Sequence, residues 1–190
     1  MSSAFTNRMH MVGYSLLSTV NLLENAQMEI FKTEELNPDL FPEHNPIDLH
    51  TEEGDRIYTY RWTTLVQPPL GVILFYHGYS SFGGKYSTVA KRFVDRGYDY
   101  LTLDVNGHGQ SEGLHGYIAS VESLLAVCKK FALVAKGMYP KGTHFHALGN
   151  SMGGAIAISL ALDEPDLFKS LLLVAPFLRT CEPVSGVCLL

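Results

Sequence analysis

The chain has 190 residues, 46% of them apolar and 17% charged, with a net charge of −5. That length and balance fit one folded domain with a sizeable core and exclude a disordered chain. The acidic balance, with no dense Lys/Arg cluster, argues against nucleic acid as a partner.

In chain order, the first predicted element is a helix over residues 12–31. Val12, Leu16, Val20, Leu23 and Ile30 fall near one face. Such a helix either packs on its own domain or anchors at an interface. Interfacial anchors usually carry Lys or Arg on the polar face. This segment has Glu24 and Glu29 and no base before Lys32, which favours packing. Pro38, Pro42 and Pro46 then mark an extended linker. Residues 1–47 are thus read as a helical extension and linker. Asp48–Glu52 and Ile57–Thr64 predict two strands joined by a turn at Glu53-Gly54-Asp55, closed by Pro68 and Pro69.

From there strands and helices alternate. Val72–Tyr76 is a short continuous apolar run, as in a strand buried on both faces. Tyr86–Arg96 predicts a helix ended by Gly97, and Tyr98–Leu103 a strand. Ala119–Met138 predicts a long helix ended before Pro140. Thr143–Leu148 predicts a strand, Met152–Leu162 a helix and Ser170–Val174 a strand. This alternation predicts an α/β fold: a mostly parallel sheet with helices on both faces.

The three cysteines, Cys128, Cys181 and Cys188, fit no zinc spacing and are odd in number. They read as free thiols in a reducing compartment, the alternative being a Cys181–Cys188 disulfide. No secretory signal is evident, and no stretch reaches the roughly 20 apolar residues that cross a bilayer. The expectation is a soluble, cytoplasmic protein with membrane contact at most peripheral.

The strongest chemical signal is Gly149-Asn150-Ser151-Met152-Gly153-Gly154 between a predicted strand and a predicted helix. A G-x-S-x-G sequence in that context is a nucleophile elbow. The serine sits on a tight, strained turn, and glycines on either side let neighbouring backbone approach. The helix behind it presents free N–H groups and a positive dipole end to developing negative charge. The competing reading is a plain tight turn.

A second signal, His77-Gly78-Tyr79, follows the buried strand. Acyl transfer passes through an oxyanion that two backbone N–H donors hold. The amides of Met152 and Tyr79 are the candidates. His77 then organises the loop through backbone hydrogen bonds, a role close to that of any buried histidine. A third signal is the glycine-rich loop Asp104 to Gly113, at the strand edge where active sites of open α/β sheets lie. His108, between two glycines, reads as structural rather than as the base.

Together the motifs resemble the monoacylglycerol lipase and lysophospholipase group of α/β-hydrolases. His77 to Tyr86 is similar to that group's His-Gly-x-x-x-His-x-Gly-Arg-Tyr, with Phe82 in place of the second histidine and Lys85 in place of the arginine. Gly107 to Gly113 resembles its Gly-His-Gly-x-Ser-x-Gly, Gly149 to Gly154 its Gly-x-Ser-Met-Gly-Gly, and Leu171 to Pro176 a strand ending Ala-Pro. The likeness covers residues 48–176, read as the hydrolase core, with 177–190 a divergent tail. It implies an α/β-hydrolase fold and hydrolysis of fatty acyl esters by a Ser-Asp-His triad. Ser151 is the implied nucleophile, with no cofactor and no metal.

In this fold the triad runs Ser, acid, His along the chain. After Ser151 come Asp163, Glu164, Asp166 and Glu182, but the last histidine is His146. The resemblance implies that the triad's acid and histidine both lie on later strands, so the chain reads as C-terminally truncated, with weak or no turnover because both are missing. The alternative is a non-catalytic form of the fold that binds a lipid or a partner. Substitution of the base by His77, His108, His144 or His146 is not expected. His144 and His146 are placed on one side of the strand before the elbow.

Overall fold

A computed structural model describes residues 42–178. The helix expected over 12–31, the linker before Pro42, Cys181, Cys188 and the tail beyond 178 lie outside the described residues.

Eight strands and three α-helices make up this region. The strands are β1 (Glu43–His44), β2 (Leu49–His50), β3 (Arg56–Ile57), β4 (Thr59–Trp62), β5 (Gly71–Tyr76), β6 (Tyr98–Leu103), β7 (Phe145–Asn150) and β8 (Ser170–Val174). The helices are α1 (Ser87–Val94), α2 (Val121–Gly137) and α3 (Met152–Asp163), with a 3-10 turn at Gly83–Tyr86 before α1. The main sheet has the order β1-β4-β6-β5-β7-β8. β1 and β4 are antiparallel additions, and β6, β5, β7 and β8 run parallel. β2 and β3 form a small separate hairpin.

β5 explains the layering. All six of its residues are buried, and alternate side chains enter different cores. Val72, Leu74 and Tyr76 join the cluster that holds Val127 and Phe131 of α2 and Ile156 and Leu160 of α3. Ile73 and Phe75 join Ala90 and Val94 of α1, with Trp62 and Tyr100. Helices thus cover both faces, α1 on one and α2 with α3 on the other. Each fully buried Leu, Ile, Val or Phe contributes about 1.5–3 kcal/mol. Ser120 caps α2 through a reciprocal pair of bonds with Ser123, and the helix ends ahead of Pro140. Cys128 of α2 is fully buried, and burial pushes its thiol well above the usual range, so it is an unreactive core residue.

Several expected boundaries move for local reasons. The supposed linker contains β1, whose His44 packs against the rings of Tyr58 and Tyr60. The strand expected over Ile57–Thr64 is two strands. Tyr58 interrupts it because its N–H donates to the Ser111 hydroxyl at 2.7 Å. β7 starts later than Thr143, which turns back to Pro140 with both its N–H and its hydroxyl. His144 therefore precedes the strand in which it was expected. No helix among the described residues is long and apolar enough to cross a membrane.

Candidate active site

The chain leaves β5 towards β6 by way of α1, and leaves β7 towards β8 by way of α3 on the other face. The two connections diverge from adjacent parallel strands. A crevice opens at such a switch point, at the strands' C-terminal ends. Gly78 follows β5 and Ser151 follows β7, and here they meet. A Cβ built on Gly78 would lie 3.3 Å from Ser151 Cβ and 3.4 Å from the Asn150 carbonyl oxygen.

Ser151 has φ 52° and ψ −115°. This left-handed value strains a non-glycine backbone by about 1–3 kcal/mol. Neighbouring bonds hold it there. Its N–H donates to Val174 O at 2.9 Å, and its carbonyl accepts from Gly154 N and Phe177 N, each at 2.9 Å. Close packing dictates the flanking glycines. A Cβ on Gly153 would overlap the Tyr76 carbonyl oxygen, and one on Gly149 would overlap the Gly153 carbonyl. α3 begins at Met152, so its N-terminal dipole end stands directly behind the serine. The Ser151 hydroxyl is half-buried and makes no hydrogen bond among the described residues.

The amides of Met152 and Tyr79 likewise donate to no partner among the described residues. His77, fully buried, lies beside them. Its Nε2 accepts from Val105 N at 3.0 Å, so the ring proton sits on Nδ1, which donates to Gly78 O at 2.8 Å. Burial, aided by nearby His108 and opposed by the Gly78 bond, pushes its pKa down to about 4. A neutral ring engaged at both nitrogens orders the loop and has no capacity to shuttle a proton.

One structural residue went unremarked in the sequence. The sequence marks Asp104 only as the first residue of a loop, yet its carboxylate is wholly buried. It accepts from Gly83 N at 2.6 Å, Gln110 N at 2.9 Å and the Tyr60 hydroxyl at 3.0 Å. Burial raises its pKa, and these three bonds oppose the rise. Asp104 thereby ties the loop after β5 to the loop after β6. The sole signal was a carboxylate at the end of a buried strand. On the other side, Asn150 Nδ2 donates to the Tyr86 hydroxyl at 3.0 Å, joining the elbow to the start of α1.

The remaining histidines lie elsewhere. The buried His108 bonds Asn106 O through Nδ1 at 3.0 Å, and its ring faces those of His77 and Tyr79. His146 sits five residues before Ser151, about 16 Å back along the strand. There its Nδ1 lies 2.7 Å from the Ser170 hydroxyl, and burial lowers its pKa. Among the described residues no group of three or more His, Cys, Asp or Glu is arranged to hold a metal.

The chain is similar to known proteins in sequence and in fold. The profile of a family described as "Serine aminopeptidase, S33" matches residues 67–189. The monoglyceride lipase of Homo sapiens is 32% identical over 148 residues, covering 75% of this chain and 48% of its own length. A monoacylglycerol lipase of Mycolicibacterium smegmatis is 30% identical over 134 residues, 70% of this chain and 47% of its own. The chain thus spans about half the length of these curated relatives. Among solved structures, a soluble variant of the Saccharomyces cerevisiae monoglyceride lipase, in complex with a substrate analog, superposes with a TM-score of 0.58 at 19% identity. It covers 77% of this chain and 47% of that one. The fold is the α/β-hydrolase fold, of which the chain carries part.

Proposed function

The chain belongs to the serine hydrolase family described as serine aminopeptidase S33, and from that premise we propose that Ser151 is the nucleophile of carboxylic-ester hydrolysis on acylglycerols or lysophospholipids. The observation that carries this is the strained Ser151 backbone at the β7–α3 junction, pressed against Gly78. The serine oxygen attacks the acyl carbonyl carbon. The resulting oxyanion accepts from the N–H groups of Met152 and Tyr79. Collapse expels the alkoxide, which leaves as the alcohol with the serine proton, and water then cleaves the acyl-serine to the free acid and restores the hydroxyl. The family description names a peptidase, and the elbow serves amides and esters alike. The choice of lipid esters rests on the monoglyceride lipases among the relatives.

None of the described histidines hydrogen-bonds the Ser151 hydroxyl, and no histidine follows Ser151 within the 190 residues. Loss of one triad member leaves roughly 10³–10⁴-fold acceleration over water. Turnover by this 190-residue chain is accordingly slow. That same observation favours a second reading, a hydrolase fold that binds a lipid or partner without turning it over.

A fluorophosphonate probe tests the first reading. Slow labelling of the folded chain at Ser151, lost in Ser151→Ala, is expected. A folded chain that stays unlabelled at high probe concentration overturns it. Fast, Ser151-dependent hydrolysis of a short-chain nitrophenyl ester rules out the second.

A further inference from the structure

We propose that the Tyr79 side chain is a positioning strut for the oxyanion donor, its hydroxyl holding the Tyr79 backbone amide in place by bonding to Gly116 across the neighbouring loop. The inference rests on the proposed role of that amide and adds a separate role for the side chain.

The geometry is that of one peptide unit held at both ends. Its carbonyl, Gly78 O, accepts from His77 Nδ1 at 2.8 Å and from Ser81 N at 3.2 Å. In a trans peptide the N–H points opposite to the C=O. Fixing Gly78 O on one side therefore aims the Tyr79 N–H to the other. That alone leaves the unit able to rock about its carbonyl anchor. The other end is the α-carbon of Tyr79, and its side chain reaches across to the loop after β6. There the hydroxyl donates to Gly116 O at 2.7 Å. The ring meets His108 edge-on, with centroids 5.3 Å apart.

The anchor is firm. Gly116 N donates to Gly107 O at 2.8 Å, Tyr117 N to Leu114 O at 2.9 Å and Gly107 N to Glu112 O at 2.9 Å. Glu112 N in turn donates to Arg56 O at 2.9 Å, pinning this loop to β3. A tyrosine 46% exposed adds little to the core. Its bond to a braced carbonyl acts on the loop that carries it. Tyr79→Phe removes the hydroxyl and leaves the amide, so side chain and backbone roles separate.

Amide hydrogen exchange on the 190-residue chain provides the test. Ser81, Gly83, Gly116 and Tyr117 each donate a hydrogen bond in the two loops. Tyr79→Phe is expected to speed their exchange by about fivefold, the effect of one hydrogen bond, with β5 and α3 unchanged. Tyr117→Phe, at a neighbouring exposed tyrosine, should leave all of them unchanged. Unaltered loop exchange in Tyr79→Phe overturns the strut. The second readout is phosphonylation of Ser151. A limiting rate lowered by about fivefold, at unchanged half-saturating probe concentration, is expected of a positioning residue. Faster loop exchange with an unchanged limiting rate overturns the link to the oxyanion donor. A wild-type chain that is never labelled counts against Ser151 as nucleophile, and the exchange measurement still decides the strut.

Discussion

On the β6 side of Ser151, side chains and main chain interlock. Asp104 takes three hydrogen bonds, His77 bridges Gly78 and Val105, and Tyr79 reaches Gly116. On the β8 side the elbow is held by main chain alone, through Val174 O and Phe177 N. β8 is the outer strand of the sheet among the described residues, and Leu171, Leu172 and Leu173 are only half-buried. The contrast separates two tasks. The flank that would stabilise an oxyanion supports itself. Next to the elbow the β8 flank contributes backbone and apolar side chains, and the His146–Ser170 side-chain contact lies at the far end of the strands.

The sharpest way to break this comparison is Asp104→Ala. It strips a partner from the buried Gly83 amide, the part-buried Gln110 amide and the buried Tyr60 phenol, so a loss of about 3 kcal/mol is expected. Urea unfolding measures it. A variant as stable as the parent would mean that the β6 flank is not self-supporting.

Acid probes the same flank. The folded pKa of His77, about 4, lies below its ordinary 6.5. Between those values the unfolded chain binds a proton that the native chain refuses. The stability tied to His77 is therefore full above pH 6.5 and declines as pH falls towards 4. Over that window the loss amounts to about 3 kcal/mol. Asp104, whose carboxyl is raised, pulls the other way and offsets part of it. Urea midpoints at pH 7, 5 and 4 should show the decline in the parent and a shallower slope in His77→Gln. Equal slopes would remove His77 as its source.

Leu172→Lys should have the smallest effect. Leu172 packs only partly against the α1-side cluster, so its loss costs about 1 kcal/mol. A charge on an edge strand also discourages pairing with other chains. Sedimentation velocity should show less self-association than in the parent. A loss of several kcal/mol instead would place β8 in the core and dissolve the contrast.

How much of this was legible beforehand follows a physical pattern. The parallel strands and their helices were, because apolar runs and their breakers are local signals. Ser170–Val174 and Tyr98–Leu103 keep their expected bounds. The break at Tyr58 was not, because it depends on Ser111, 53 residues away. The elbow was legible as a motif, since a strand, a strained turn and a helix leave their marks on consecutive residues. Asp104 was not, for nothing in its neighbours says that its carboxylate turns inward to meet Gly83 and Tyr60. The Tyr79 hydroxyl is the same kind of case. Its partner is a carbonyl, and carbonyls have no residue type to read.

The backbone of Ser151 carries one more consequence. At φ 52° a glycine would rest without penalty, and its entropy cost in the unfolded chain is smaller than the strain it would relieve. Judged by folding alone, serine is the worse occupant of position 151. The strain at position 151 is thus a cost that serine carries and glycine would not.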